Sequence, residues 1–408
     1  MSGRWHRVLL CGSWLVRHHA MSGEDVERLS GRDVTGVALS GSSVARVAAA
    51  ELAVDRLLTG QVRLGVLLGE ILAVFGRLVP SSEVRVIAFD PDALLPMASA
   101  ASESLGEELA FGHCRNELLE RDVLKLRDLA SSGSHVGSLS RTAAEAKTSA
   151  RWSEFLIPRG IHHELRASLV SPRGQCWGAL LLYRDRGPAF SEADNAFVEK
   201  VAPELADGLA RAVMFERAAD GGPCAPGTLV LTLEGALVWA TPGGQRWLEA
   251  LDREGDAASG LARAAGAAIA ARAARLARGF DGDGSGSGAA SLRLRDRAGR
   301  WVSVHAELVE RDDLEPRISV VIEPARSGVI LPLAADAYGL TEREREVTRG
   351  VLRGHATKVI ARELSVTPWT VQDHLKSVFE KVGVRSRQAL AYELALQNLS
   401  VRDPSFMG

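Results

Sequence analysis

Residues 367–382 gather side chains suited to reading hydrogen-bonding edges. Gln372 carries an amide that donates and accepts, Asp373 a carboxylate that only accepts, and Lys376 an ammonium that only donates. At about 100° per residue these three share a helical face with Trp369 and Glu380. The opposite face is apolar, with Val371, Leu375, Val378 and Val382 at i, i+4, i+7 and i+11. A glutamine pairs bidentately with adenine, a lysine donates to guanine O6 or N7, and an aspartate accepts from the cytosine amine. The chemistry on offer is recognition of base edges by a helix lying in a DNA major groove.

Several elements must hold that helix in place. Thr367 is a good N-cap, and Pro368 follows at the first helical position, where its missing N–H costs nothing. A shorter helical pattern over 358–364 puts Ile360, Ala361 and Leu364 on one side, and Ser365, Val366 and Thr367 form the break between the two. Short helix, tight turn and second helix describe a helix-turn-helix. Upstream, Thr341 and Glu344 have the spacing of a capping box, opening a helix whose inner face is Val347, Val351 and Leu352. A fourth helix starts near Ser386, with Leu390, Leu394 and Leu396 as its apolar positions. These four helices predict a small all-α bundle.

The stretch resembles the DNA-binding domain of the LuxR family, also called GerE-type, of bacterial transcription regulators. Leu340, Thr341, Arg343, Glu344, Glu346, Val347, Gly354, Lys358, Ile360, Ala361, Thr370, Val371, His374, Lys381, Gly383, Val384 and Arg387 stand where the family pattern has the same residues. The resemblance implies a double-stranded DNA partner and a homodimer on paired half-sites. It implies phosphate contacts from Lys358, Thr367, Thr370, His374, Lys381 and Arg387, which set register, while Gln372, Asp373 and Lys376 read bases. Two positions depart from the pattern. Val359 replaces an acidic or polar residue, and Asp373 places a carboxylate where the family has a neutral or basic side chain.

At 408 residues the chain is too long for one ordinary core, so two to four domains are expected. Its 46% hydrophobic and 25% charged content is that of a globular protein. The net charge of −2 is uneven: residues 341–402 hold 11 Lys/Arg against 7 Asp/Glu, or +4, which leaves −6 for the remainder. A basic end on an acidic body suits a DNA module joined to a regulatory part. Cys11, Cys114, Cys176 and Cys224 are widely spaced, which predicts neither a zinc site nor a disulfide framework and fits a reducing, cytoplasmic setting. No apolar run reaches the length of a membrane span. Residues 1–20 combine Arg4, His6 and Arg7 with a short apolar stretch broken by Gly12 and Ser13; they are expected to lie outside any folded domain, with Met21 an alternative start.

Residues 1–54 form an N-terminal extension, helical over 44–54. A helix is expected over 57–78 with Leu64, Leu67, Leu68, Ile71 and Phe75 buried, then strands at 84–89 and 94–99 and helical pieces at 117–130 and 149–155. A hairpin of 163–171 and 176–184 turns at Pro172-Arg173-Gly174, and Ser191 caps a closing helix to 215. This order, with the phrase Cys176-Trp177-Gly178-Ala179-Leu180, resembles a GAF domain over 55–216, an α+β sensory fold that implies a small-molecule effector or a protein partner. After a linker at 217–227 come strands at 228–233, 236–241, 291–296, 300–309 and 317–323, a helix from Pro242 and an Ala/Arg-rich helix over 258–278. That small α+β domain, 228–325, looks PAS-like. A connector, 326–338, leads to the helix-turn-helix domain at 339–402.

Other candidate chemistries are weaker. The run from Asp281 has the start of a calcium loop, but Leu292 stands where a bidentate carboxylate is required. No Gly-Lys pair exists for a phosphate loop, and no nucleophile elbow or His-Glu-x-x-His is present. His162 and His163 are adjacent on a strand and point to opposite faces. Trp177, Trp239, Trp247 and Trp301 are expected in cores. No enzyme activity, metal or cofactor is therefore expected. The reading is a transcription regulator coupling a sensory region to promoter binding; the alternative is a protein-interaction regulator of the same architecture that acts on another transcription factor with little DNA binding of its own.

Overall fold

The computed structural model describes residues 62–102, 113, 116–118, 120–215, 225–233, 235–251, 269, 272–273, 290–296, 298–311 and 314–396. The expected helix at 44–54, the linker at 217–224, most of the Ala/Arg-rich helix and the glycine-rich run from Asp281 to Gly288 lie outside them, as do Cys11, Cys114 and Cys224.

The first unit is a five-stranded antiparallel sheet in the order β2-β1-β5-β4-β3. Its strands are β1 (Glu83–Asp90), β2 (Leu95–Ala101), β3 (Val136–Ser140), β4 (His163–Val170) and β5 (Cys176–Arg184). One face carries Val84, Val86, Ala88, Leu165, Ala167, Leu180 and Leu182 and packs on helices α1 (Leu64–Leu78) and α4 (Glu192–Phe215). The stripe expected on α1 is buried as read, with Val74 added. The other face is covered by short helices α2 (Leu126–Ser131) and α3 (Ala144–Thr148) and a π-helical turn at Trp152–Leu156. Strand β3 is unanticipated from sequence: VGSLS is small and polar, and it pairs only with β4 at the sheet edge.

The second unit is another five-stranded antiparallel sheet, order β7-β6-β10-β9-β8, from β6 (Gly227–Leu231), β7 (Leu237–Ala240), β8 (Ala290–Arg295), β9 (Trp301–Arg311) and β10 (Leu314–Pro324). Leu229, Leu231, Val302, Val304, Ile318 and Val320 pack against Trp247 of helix α5 (Pro242–Leu251). The expected strands are present here. Trp177, Trp247 and Trp301 are buried, but Trp239 is 55% exposed, because β7 is an edge strand with β6 on one side only. The 326–338 connector is a helix, α6 (Ser327–Ala337), packed on α4.

The C-terminal unit is all-helical: α7 (Glu342–Leu352), α8 (Thr357–Glu363), α9 (Pro368–Val382) and α10 (Arg387–Ala391), which runs on as a π-helical turn at Tyr392–Leu396. Its core of Val347, Val351, Ile360, Ala361, Val371, Leu375, Val378, Val382, Leu390 and Leu394 is continuous, through Ile330, Leu333 and Ala334 of α6, with the helical side of the first unit. Among the described residues no helix is long and apolar enough to cross a membrane.

Candidate nucleic-acid interface

Local capping fixes the two helices that matter most. At α7 the capping box is complete: the Thr341 N–H donates to Glu344 Oε2 at 2.6 Å and the Glu344 N–H donates to the Thr341 hydroxyl at 3.4 Å. At α9 the Thr367 hydroxyl accepts from the Thr370 N–H at 3.1 Å, with Pro368 behind it. Between α8 and α9 the chain turns through Ser365 at φ +55°, a left-handed conformation that serine adopts at some cost. Val371, Leu375, Val378 and Val382 then face inward, and α9 lies across α7 and α8.

The outer face of α9 is open. Gln372, Asp373 and Lys376 are exposed and make no hydrogen bond or ion pair among the described residues. Asp373 and Lys376, three residues apart, are not paired with each other, so the carboxylate stands uncompensated by its neighbour. Lys358 is exposed on the first turn of α8, and His374 is half-buried on the flank of α9. The hydroxyls of Thr367 and Thr370 lie 2.9 Å apart at the start of α9.

Two of the expected phosphate contacts are engaged inside the domain. Lys381 Nζ donates to Glu344 Oε2 at 2.5 Å, and the Ser377 hydroxyl donates to Glu344 Oε1 at 2.6 Å. Burial works to raise the Glu344 pKa, but the hydrogen bonds from Lys381, Ser377 and Thr341 outweigh it and bring it down to about 2. Arg387 donates to the Thr357 hydroxyl at 3.1 Å and to the His355 carbonyl at 2.5 Å, tying the start of α10 to the start of α8. Both side chains thus brace the bundle behind the outer face.

One residue assigned no role from sequence belongs to this face. Trp369 is 73% exposed on the first turn of α9, in line with Asp373 and Lys376. The helical wheel is the signal that locates it, since a tryptophan in that row has no core to enter.

Elsewhere His162 Nε2 lies 3.1 Å from Arg141 and His163 Nε2 lies 3.2 Å from the Gly187 carbonyl, two separate environments at the start of β4. Cys176 is buried, and burial pushes its thiol up to about 11.

A model of the family "Bacterial regulatory proteins, luxR family" matches residues 339–394, and a GAF domain model matches residues 45–209, starting ten residues ahead of the expected boundary and ending seven before it. Spore germination protein GerE of Bacillus subtilis is 40% identical over 55 residues, covering 14% of this chain and 74% of that protein. A probable transcriptional regulatory protein NarL of Mycobacterium tuberculosis is 42% identical over 60 residues, 15% of this chain and 28% of that protein. A putative HTH-type transcriptional regulator of Mycobacterium bovis is 48% identical over 56 residues, and there the match spans 6% of the relative's length. Among solved structures, the GAF domain of a phosphoenolpyruvate-protein phosphotransferase from Coxiella burnetii aligns with 42% of this chain and 96% of its own at 15% identity and a TM-score of 0.30, too distant to carry an argument. By its C-terminal helices the chain belongs to the LuxR family of bacterial regulatory proteins, and it carries a GAF domain ahead of them.

Proposed function

We propose that the protein regulates transcription by laying the outer face of α9 in the major groove of double-stranded DNA, as a homodimer, under the control of its GAF domain. The observation that carries this reading is the exposed and unpaired row of Trp369, Gln372 and Lys376 on a helix capped at its start and buried along its back. Recognition helices contact base edges with their N-terminal residues, and this row occupies that end. Gln372 pairs with adenine, Lys376 donates to guanine, Asp373 accepts from cytosine, and the Trp369 indole offers a flat apolar surface for a thymine methyl. Lys358 contacts the backbone. The effector of the GAF domain is a small molecule or a protein partner, and the second sheet, PAS-like in its strand order, connects it to the helix-turn-helix domain. The polypeptide itself performs no catalysis and works in the cytoplasm.

Titration of the full chain against a labelled duplex from its own upstream region tests this. Affinity should fall steeply with salt, and Lys358→Ala should weaken binding to all sequences alike while reducing the salt slope by about one. A change in sequence preference at an unaltered slope would contradict the phosphate role. A second reading, docking on another regulator, is favoured by the uncompensated Asp373 and the exposed Trp369. It would prevail if no duplex bound even at low salt.

A further inference from the structure

The DNA-binding unit is joined to the rest of the chain by two residues. Between Tyr338, which caps the end of α6, and Thr341, which caps the start of α7, stand Gly339 and Leu340. The Gly339 N–H donates to the Asp336 carbonyl at 3.0 Å and the Leu340 N–H to the Ala335 carbonyl at 2.8 Å. Those two bonds close α6 in a Schellman motif, with Gly339 at φ +64°. Leu340 is 2% exposed, and the capping box of α7 begins at the next residue. A flexible linker lets two domains turn freely; a joint fastened by a cap on either side does not.

Side chains brace this joint from three directions. From α7, Arg345 donates back to the Leu340 carbonyl at 3.0 Å and to Asp336 Oδ1 at 2.5 Å. From the turn between β4 and β5, the Ser171 hydroxyl donates to Gln175 Oε1 at 3.1 Å, which aims Gln175 Nε2 at Asp336 Oδ1, 3.4 Å away. Arg173 of the same turn lays its guanidinium on Gly339, where a Cβ would otherwise stand. From the end of the C-terminal unit, Glu393 accepts from the Tyr338 hydroxyl at 3.4 Å. One oxygen of Asp336 therefore takes donors from the GAF domain and from the helix-turn-helix domain together, and α6 itself is packed on α4.

We propose that this joint fixes the distance and angle between the two α9 helices of a dimer, so that the protein selects the spacing between its half-sites. Arg173, Gln175, Asp336 and Gly339 are then positioning residues, which act on DNA through α9. Half-site spacing is a geometric property of a symmetric dimer. The gain from a second reading head is lost wherever geometry forbids both heads to engage at once. Heads on a flexible tether accept many spacings, and heads on a braced joint accept one. This rests on the reading of the protein as a DNA-binding homodimer and gives that reading its spacing rule.

Binding by the full chain tests it. Selection from a random duplex pool gives the paired site. Three duplexes then carry that site, the same site with five base pairs inserted between its halves, and one half alone. The insertion turns the second half by about half a helical turn. Wild type should bind the selected spacing about tenfold tighter than the inserted one, and the inserted one no better than the single half. Arg173→Ala should bring that ratio down to about threefold or less, with the half-site sequence unchanged. So should Gln175→Glu, which sets a second carboxylate against Asp336, and Gly339→Ala, whose Cβ displaces the Arg173 guanidinium. Arg173 is exposed and Gln175 half-buried on a surface turn, so changing them leaves both cores intact. A ratio that all three variants retain overturns the role of the joint. So does a wild type that binds both spacings equally and more tightly than the single half. A wild type that binds the paired site no better than one half, or binds no duplex, overturns the homodimer reading and the spacing rule with it.

Discussion

At the scale of single residues, α9 sorts its side chains into those held and those offered. Lys381 is held by Glu344, 37 residues away, and sequence spacing carries no trace of that pair. Asp373 and Trp369 are offered. A carboxylate near phosphates is repelled unless a base amine meets it, so Asp373→Ala separates two roles. Binding-site selection on wild type and variant should show one position losing its cytosine preference, worth about 1–3 kcal/mol, with other sequences bound as well or better. Uniform tightening with an unchanged logo would reduce Asp373 to a surface acid. Trp369→Ala in the same experiment should relax a thymine position. Glu344 makes a different prediction, since its folded pKa of about 2 lies below the unfolded value near 4.3. Its stabilisation is fully present above pH 4.3 and is lost as pH falls toward 2. Glu344→Gln should therefore be less stable than wild type at pH 7, by about 2 kcal/mol for hydrogen bonds to charged groups, with the difference shrinking as pH approaches 2. Chemical unfolding at pH 7, 4 and 2.5 measures it; a gap constant with pH would contradict the assignment.

At the scale of elements, what was legible in the sequence is what local chemistry writes. The caps Thr341 and Thr367, the stripe Val371 to Val382 and the hairpin turn at Pro172 are all short-range signals, and the structure has each where the residues put it. The same holds for the burial of Leu64, Leu67, Leu68, Ile71 and Phe75 on α1. Strand β3 was not legible, because its pairing with β4 decides it and its own residues do not. Nor were the buried pairs Arg166–Glu117 and Arg151–Glu164, since these residues meet only when segments outside the sheet fold over β4. Gly350 shows the limit most clearly. In sequence it is a glycine inside a helix, a weakness; in the fold it lets α7 approach α8, and a Cβ there would stand 2.7 Å from Cγ1 of buried Ile360. Gly350→Val should cost about 1–3 kcal/mol by overpacking. Pairing it with Ile360→Ala should recover part of the loss, and unfolding of the four members of that cycle gives the coupling. Additive losses would mean that the two helices do not constrain each other there.

At the scale of the molecule, three units are bound by contacts stronger than flexible linkage requires. Arg293 of β8 donates to both carboxylate oxygens of Asp90, at 2.8 and 2.6 Å, to Asp92 at 2.6 Å, and to the Val329 carbonyl of α6 at 3.3 Å. Arg295 caps the end of α4 through the Val213 and Met214 carbonyls, each at 3.1 Å. Asp336 at the end of α6 accepts from Gln175 of the GAF hairpin at 3.4 Å and from Arg345 of α7 at 2.5 Å, and the neighbouring Gly339 lies against Arg173 of the same hairpin, where a Cβ would meet its guanidinium. The turn between β4 and β5 thus reaches within one element of α7, the first helix of the C-terminal unit. A shared apolar core and a shared carboxylate predict one cooperative unfolding transition in place of three. Asp90 is 1% exposed, so Arg293→Ala strands a buried charge and should cost about 3–5 kcal/mol. Calorimetry of the full chain should show a single endotherm in wild type and, in the variant, a lower one that splits as the second sheet lets go of the first. Three separate endotherms in wild type would mean that the units fold independently, and that neither the shared core around α6 nor the Arg293–Asp90 pair couples them.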